Sequence, residues 1–149
     1  MTPRFEQDRA GLDCLLEHLR AVDASFQPPL SERVDLAHYA SKLFAQAHRE
    51  EAWDGEQLIG LVASYCNDTS VGCYISNVSL VPAWRGHGVA DALVARSLQF
   101  AARAGLRRAS LHLHPDNMPA RRLYERHGFQ AGQQEDERLP MTLNLSTQP

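Results

Sequence analysis

The stretch Val81-Pro82-Ala83-Trp84-Arg85-Gly86-His87-Gly88-Val89-Ala90 constrains this chain most, because it joins three backbone regimes in ten residues. Upstream, residues 71–81 read as a strand, and Pro82 ends it, since proline cannot donate to a ladder. Downstream, residues 89–104 return to a helical period. Val89, Leu93, Val94, Leu98, Phe100 and Ala101 form a wide apolar side, with Asp91, Arg96, Gln99 and Arg103 on the polar side. Between them, Gly86 and Gly88 let backbone approach a bulky group without a Cβ in the way. The first turn of a helix has unpaired N–H groups and a positive dipole end, so this junction suits an anion. A tight turn without a ligand uses the same glycines, and the segment alone leaves both uses open.

Charge distribution fits the anion reading, and it equally fits two helices with solvated arginine faces. Residues 85–127 hold eight arginines against Asp91, Asp116 and Glu125, a net +5, while the remainder carries seven cationic residues against fifteen acidic ones, a net −8. The whole chain stands at −3, which argues against a general nucleic-acid binder. Two nucleotide motifs fail on inspection. The dinucleotide fingerprint needs a third glycine where Asp91 stands, and no Gly-Lys-Ser/Thr tripeptide exists for a triphosphate loop. No apolar run approaches the ~20 residues of a membrane span, and the first residues are too polar for a secretory signal. Three cysteines without metal-ligand spacing point to a reducing compartment and no intrinsic metal site, so a cytoplasmic protein is expected. Cys66 and Cys73 face each other across a possible hairpin, and two small buried thiols without an activating neighbour are the expected reading.

Residues 7–22 read as a helix with Leu12, Leu15, Leu16 and Leu19 on one face, with a short strand near Arg4 and Phe5 before it. Residues 26–29 stop that helix through Pro28 and Pro29. Ser31 is the expected N-cap of a second helix carrying Leu36, Ala40, Leu43, Phe44 and Ala47 at helical spacing. Residues 51–53 and 57–65 read as a hairpin turned at Asp54-Gly55. Gly105 is a natural helix stop, and residues 108–114 alternate as a strand, with Leu111 and Leu113 opposite His112 and His114. A short helix over 117–127 and strands over 129–133 and 139–145 complete the chain. With no repeat or linker, residues 1–149 are expected to form one α+β domain, a mixed, mainly antiparallel sheet with helices on both faces.

A second block, Asn117 to Phe129, places Asn117 at a helix start and Tyr124 seven residues on, about two turns later and on roughly the same face. A plain N-cap and a packing tyrosine explain these two residues equally well in isolation. Together, however, the two blocks resemble the GNAT superfamily of N-acetyltransferases. Its Arg/Gln-x-x-Gly-x-Gly/Ala loop is met by Arg85, Gly88 and Ala90, its strand end by Val81-Pro82, and its Asn-x₆-Tyr-x₃-Gly-Phe block by Asn117, Tyr124, Gly128 and Phe129.

The resemblance implies a splayed central strand pair and acetyl-CoA as cosubstrate, without a metal. Val78, Ser79 and Leu80 would offer backbone groups to the pantetheine arm. Gly86, His87, Gly88, Val89, Ala90 and Asp91 would present N–H groups to the pyrophosphate. Asn117 would hydrogen-bond the arm, and Tyr124 would protonate the leaving thiolate. Asp91 fits only with its carboxylate turned to solvent, and Arg85 is expected to brace the loop or meet a phosphate. His112 is the candidate base, since a histidine near pKa ~6.5 suits that task. His114 lies on the same strand face, and Tyr65, Tyr74 and Asn77 are weaker pocket candidates expected to serve strand packing. The implied partner is a small-molecule or protein amine, with no nucleic acid or membrane involved, and a monomer or homodimer is expected. A non-catalytic acyl-CoA sensor on the same fold is the rival reading, and intact Asn117 and Tyr124 favour the enzyme.

Overall fold

The computed structural model describes residues 2–26 and 28–145. Along the chain come β1 (Arg4–Gln7), α1 (Leu12–Val22), α2 (Leu36–Gln46), β2 (His48–Asp54), β3 (Gln57–Tyr65), β4 (Cys73–Leu80), α3 (Val89–Arg103), β5 (Arg108–Leu113), α4 (Met118–Arg126), β6 (Gln130–Ala131) and β7 (Leu139–Asn144). One seven-stranded sheet runs in the order β1-β2-β3-β4-β5-β7-β6. Every neighbouring pair is antiparallel except β4 and β5. Leu15, Leu19, Ala40 and Leu43 of α1 and α2 pack with Leu58, Leu61 and Ala63 on one side of the sheet. Leu93, Val94 and Ala101 of α3 and Leu123 of α4 pack with Ile59, Val62, Ile75, Leu111 and Met141 on the other. β3 therefore feeds both cores, which is why its sequence is nearly continuously apolar rather than alternating.

Several boundaries differ from the sequence reading. The strand near Arg4 and Phe5 is present, but α1 starts at Leu12 rather than residue 7. The backbone N–H groups of Arg9 and Ala10 are held by the Glu51 carboxylate at 3.0 and 3.1 Å, and Asp8 adopts φ 52°, so residues 8–11 cannot join the helix. Ser31 does not cap α2. Its N–H and Oγ both donate to the Asp23 carboxylate within a 3-10 turn, and Asp35 caps α2 by accepting from the His38 N–H at 3.1 Å. Phe44, placed on the apolar face by spacing, is 49 % exposed beneath the Arg49 guanidinium. The hairpin turn falls on Gly55 and Glu56, since Asp54 still pairs with Gln57. Gln27, within the helix-ending stretch, lies outside the described residues.

β2 begins three residues earlier than its apolar pattern suggests, at His48, and buries Arg49, Glu50 and Glu51. Burying such charges is costly unless each finds a partner. Glu51 accepts from Arg9 N, Ala10 N, Arg49 Nε and Trp53 Nε1, all within 3.2 Å, and Arg49 Nη2 donates to the Ala10 carbonyl at 3.0 Å. This network ties the β1–α1 connection to the sheet. No described helix is long and apolar enough to cross a membrane.

Beside it, His48 lies between Asp8 and Glu50 with its ring stacked on Phe100 at 3.5 Å. Burial pulls the imidazole pKa down, but the hydrogen bonds and charges of Asp8 and Glu50 outweigh it and raise the pKa from 6.5 to about 9. A raised folded-state pKa stabilises the fold fully below the unfolded value and loses that contribution as pH rises through the folded value. Stability should therefore fall between about pH 6.5 and about pH 9, by on the order of 1 kcal/mol because the Asp8 partner is half exposed. Urea titrations across that window should show the decline in the native chain and its loss in His48→Gln.

Candidate functional site

The gap between β4 and β5 organises the site. The two strands pair in parallel only at Cys73 with Ala109 and Tyr74 with Ser110. Beyond that, β4 keeps β3 as its neighbour up to Leu80 and β5 keeps β7 up to Leu113, so the facing edges part. Gly72 permits the close start: a Cβ there would stand 2.5 Å from the Arg108 carbonyl oxygen, and its φ is +98°. A bulge then redirects β4. Ala63 pairs with Asn77 and Ser64 with Ile75, leaving Ser76 as the extra residue. The side-chain alternation inverts across it. Cys73 and Ile75 face the α3 core before the bulge, and Val78 and Leu80 join that core after it. Asn77 and Ser79 thereby turn to the α1–α2 side, where Ser79 Oγ lies 2.7 Å from Asn77 Oδ1 and 2.8 Å from His18 Nε2. The Ser79 side chain is thus engaged on the α1–α2 side, opposite the face of Val78 and Leu80.

At the far end of β4, a 3-10 turn over Pro82–Trp84 seats Trp84 in the core, with His87 edge-on to its ring at 6.2 Å. Arg85 braces the loop by donating from Nη2 to Ser25 Oγ at 2.8 Å. Gly88 is the N-cap of α3 with φ 74°, a left-handed conformation that glycine adopts without strain, and Gly86 has φ 82°. The first helical bond of α3 is Ala92 N–H to the Gly88 carbonyl at 3.1 Å. The six N–H groups of residues 86–91 make no hydrogen bond among the described residues. A Cβ built on Gly86 or Gly88 meets nothing within 4 Å, so the space before these donors is open. That is the donor set of an anion site at a helix N-terminus. The carboxylate of Asp91 does not oppose an anion there. It turns toward α4 rather than simply to solvent, accepting from Arg126 Nη2 and His127 Nε2 at 3.0 Å each. The Arg126 hydrogen bond, against slight burial, holds its pKa below the ordinary value.

α4 carries the second block. Asn117 caps it, with Oδ1 accepting from Ala120 N–H at 3.2 Å, while its Nδ2 makes no hydrogen bond among the described residues. Tyr124 is 8 % exposed, packs edge-on against Phe129 at 5.9 Å, and its hydroxyl likewise has no hydrogen-bond partner among the described residues. Burial pushes its phenol pKa upward, so Oη keeps its proton at neutral pH.

His112 stands on β5 with Nδ1 3.0 Å from the Tyr74 hydroxyl. Burial first, then the Arg138 charge, lowers its pKa, leaving a neutral imidazole near pH 7. His114 is separately engaged, its Nδ1 accepting from Asp116 N–H at 3.1 Å. Tyr74 and Asn77 do more than strand packing, Tyr74 through its hydroxyl to His112 and Asn77 by accepting from the Ser79 hydroxyl. Tyr65 pairs across from Tyr74, and Tyr39 of α2 reaches Ser76 Oγ at 2.6 Å and hydrogen-bonds the Ser76 carbonyl. Burial pushes the Tyr39 phenol up to about 12. Tyr39 and Ser76 were missed by sequence reasoning. A tyrosine three residues after Leu36 and four before Leu43, inside an apolar stripe, was the available signal. Cys66 and Cys73 do face each other across the hairpin, with sulfurs 3.2 Å apart, but only Cys73 is buried and Cys66 is half-buried. Among the described residues no cluster of three or more His, Cys, Asp or Glu is placed to hold a metal ion.

The acetyltransferase (GNAT) family pattern matches residues 15–129. Mycothiol acetyltransferase of Corynebacterium efficiens is 37 % identical over 79 residues, covering 52 % of this chain and 26 % of that protein. The chain thus spans about a quarter of the length of the curated relatives it matches. Among solved structures, the PaiA N-acetyltransferase of Thermoplasma acidophilum in complex with coenzyme A superposes with a TM-score of 0.78 at 14 % identity, covering 95 % of this chain and 99 % of that one. The ribosomal-protein-S18-alanine N-acetyltransferase of Escherichia coli superposes at 0.77 with 14 % identity, covering 98 % and 97 %. At these identities the structural likeness speaks to the fold, while the match over 15–129 carries the assignment: the chain belongs to the acetyltransferase (GNAT) family.

Proposed function

We propose that this chain is an acetyl-CoA-dependent N-acetyltransferase that moves an acetyl group to a primary amine by direct transfer in a ternary complex. The observation that carries this reading is the row of six N–H groups at residues 86–91 that have no partner among the described residues, at the end of a strand parted from its neighbour. Such a row fits a pyrophosphate, and the free edge of β4 beside it fits an extended amide-bearing arm. Acetyl-CoA supplies the activated acyl thioester. Residues 78–80 offer it backbone, Arg85 holds the loop, and Asn117 Nδ2 remains available to the arm.

The acceptor must lose a proton before it attacks, since a lysine-like amine has pKa ~10.4. His112 takes that proton at Nε2, while Nδ1 faces Tyr74. A backbone N–H on the open edge of β4 donates to the carbonyl oxygen as charge develops. Tyr124 holds the proton that the departing thiolate needs. Direct transfer is favoured over an acyl-cysteine because Cys73, with Cys66 against it, pairs with Ala109 at the closed end of the gap rather than lying along its open edge. The acidic remainder of the chain favours a cationic acceptor, a small amine or a protein amino group, with amino sugars also in the class.

Gly88→Val should abolish acetyl-CoA binding while preserving the fold. The new side chain meets open space within the protein, but it fills the anion approach and cannot keep φ 74° without strain. Calorimetry should show lost binding with an unchanged circular dichroism spectrum, and unchanged affinity would remove the pyrophosphate assignment.

A panel of amines with acetyl-CoA, read by released thiol, tests turnover itself. Release that depends on an acceptor supports the enzyme, and binding without release supports the sensor. With the best acceptor, Tyr124→Phe should lower kcat by about 10²–10⁴ at steady KM for acetyl-CoA, the usual contribution of one positioned acid. His112→Ala should instead remove the acidic limb of the pH–rate profile, which lies below the ordinary histidine pKa of 6.5 because the group is shifted down. Near-full kcat in Tyr124→Phe with thiol release rate-limiting would return Tyr124 to a packing role.

A further inference from the structure

The β3–β4 hairpin ends in a pair of thiols that the acetyl-transfer reading does not use. Tyr65 and Tyr74 are the last cross-strand partners, and Cys66 and Cys73 follow directly, flanking a turn closed by Val71 and Gly72 N–H bonds to the Asp68 carbonyl. Their sulfurs stand 3.2 Å apart, and both are free thiols. Cross-strand Cβ atoms lie ~4.5–5.5 Å apart, and a disulfide needs ~3.8 Å, so closure asks for a small approach of two strand ends rather than a refolding.

The two sulfurs are unequal. Cys73 is 1 % exposed among core residues, whereas Cys66 is half-buried. Cys66 is also surrounded by groups that favour its thiolate. The contact with the Cys73 sulfur outweighs burial, and the Ser64 hydroxyl and the His48 charge act in the same direction, so its pKa is lowered. The Cys66 contact and burial push the Cys73 thiol up. Cys14, the remaining cysteine, has its pKa raised by burial and stands apart on α1. An accessible, thiolate-prone cysteine beside a protonated, buried one is the arrangement of a nucleophilic and a resolving thiol.

We propose that Cys66 and Cys73 form a dithiol–disulfide site that reacts with low-molecular-weight disulfides, Cys66 attacking and Cys73 resolving. The Cys66 thiolate bonds to one sulfur of RSSR, breaking its S–S bond and releasing RS⁻. The Cys73 thiol then loses its proton, and its sulfur bonds to Cys66 Sγ, expelling the second RS⁻. The sum is two protein thiols and one RSSR converted to one protein disulfide and two RSH, with the external disulfide as the two-electron oxidant. Because Cys73 is one of the two β4 residues that pair with β5, the new bond would sit at the closed end of the gap.

Oxidised glutathione, incubated with the full chain at neutral pH, is the probe. After denaturing alkylation, mass spectrometry should count one reactive thiol in place of three, with the peptide of Cys66 linked to that of Cys73, and dithiothreitol should restore all three. In Cys73→Ser, one glutathione should remain on Cys66, and Cys66→Ser should slow the reaction at least ~10-fold. Three persistent thiols in the native chain, a link to Cys14, or undiminished reactivity in Cys66→Ser would overturn the proposal. The native-chain count stands even if a serine variant fails to fold.

Discussion

β4 and β5 touch through two residue pairs, and the gap depends on how short that contact is. Parallel neighbours in a sheet ordinarily pair along their length, because an unpaired backbone edge forgoes its hydrogen bonds. Here each strand is secured on its other side. β5 pairs with β7 over six residue pairs, and β4 pairs with β3 from Leu80 to Tyr74 around the Ser76 bulge. Gly72 sets the closed end, where nothing larger fits against Arg108. Tyr39 fixes the bulge from α2 through the Ser76 hydroxyl and carbonyl. The parting is thus built into the packing on both sides, and it leaves β4 backbone available without exposing the apolar core.

The electrostatics follow the same division. α3 begins on a left-handed glycine whose preceding loop is braced by Arg85, and its first N–H groups meet no acceptor among the described residues. Asp91 alone would spoil that positive end, and Arg126 and His127 take up its carboxylate from α4. The same contacts dock α4 against α3, so the residue that looks least suited to an anion site also positions the helix bearing Tyr124. On β2, next to the β1 edge of the sheet, Arg49 and Glu51 are paired with each other and with backbone groups of the β1–α1 connection.

What was legible in the sequence is what local physics determines. The apolar stripe of α3, the Gly86 and Gly88 junction, the Asn117 cap and the spacing to Tyr124 all lie within a few turns of chain. The misplaced features depend on distant partners. The charged Arg49 and Glu50 fall outside the strand that the sequence pattern starts at Glu51, and the partners of Arg49 and Glu51 at Asp8, Arg9 and Ala10 lie about forty residues away in sequence. Ser31 looked like a cap until Asp23 claimed it. The polar cluster of Tyr39, Ser76, Tyr74 and His112 joins α2, β4 and β5, and no single periodicity marks all four. The Asp91 contact spans thirty-five residues and was equally invisible.

In the proposed function, the backbone donors at the start of α3 and the parted edge of β4 receive coenzyme A. Backbone amide resonances followed by NMR during a coenzyme A titration test it most directly. Saturable shifts should be largest at residues 86–91, with a second set at 78–80. Saturable binding that leaves the 86–91 amides unmoved, or an absence of binding in the folded chain, would contradict it.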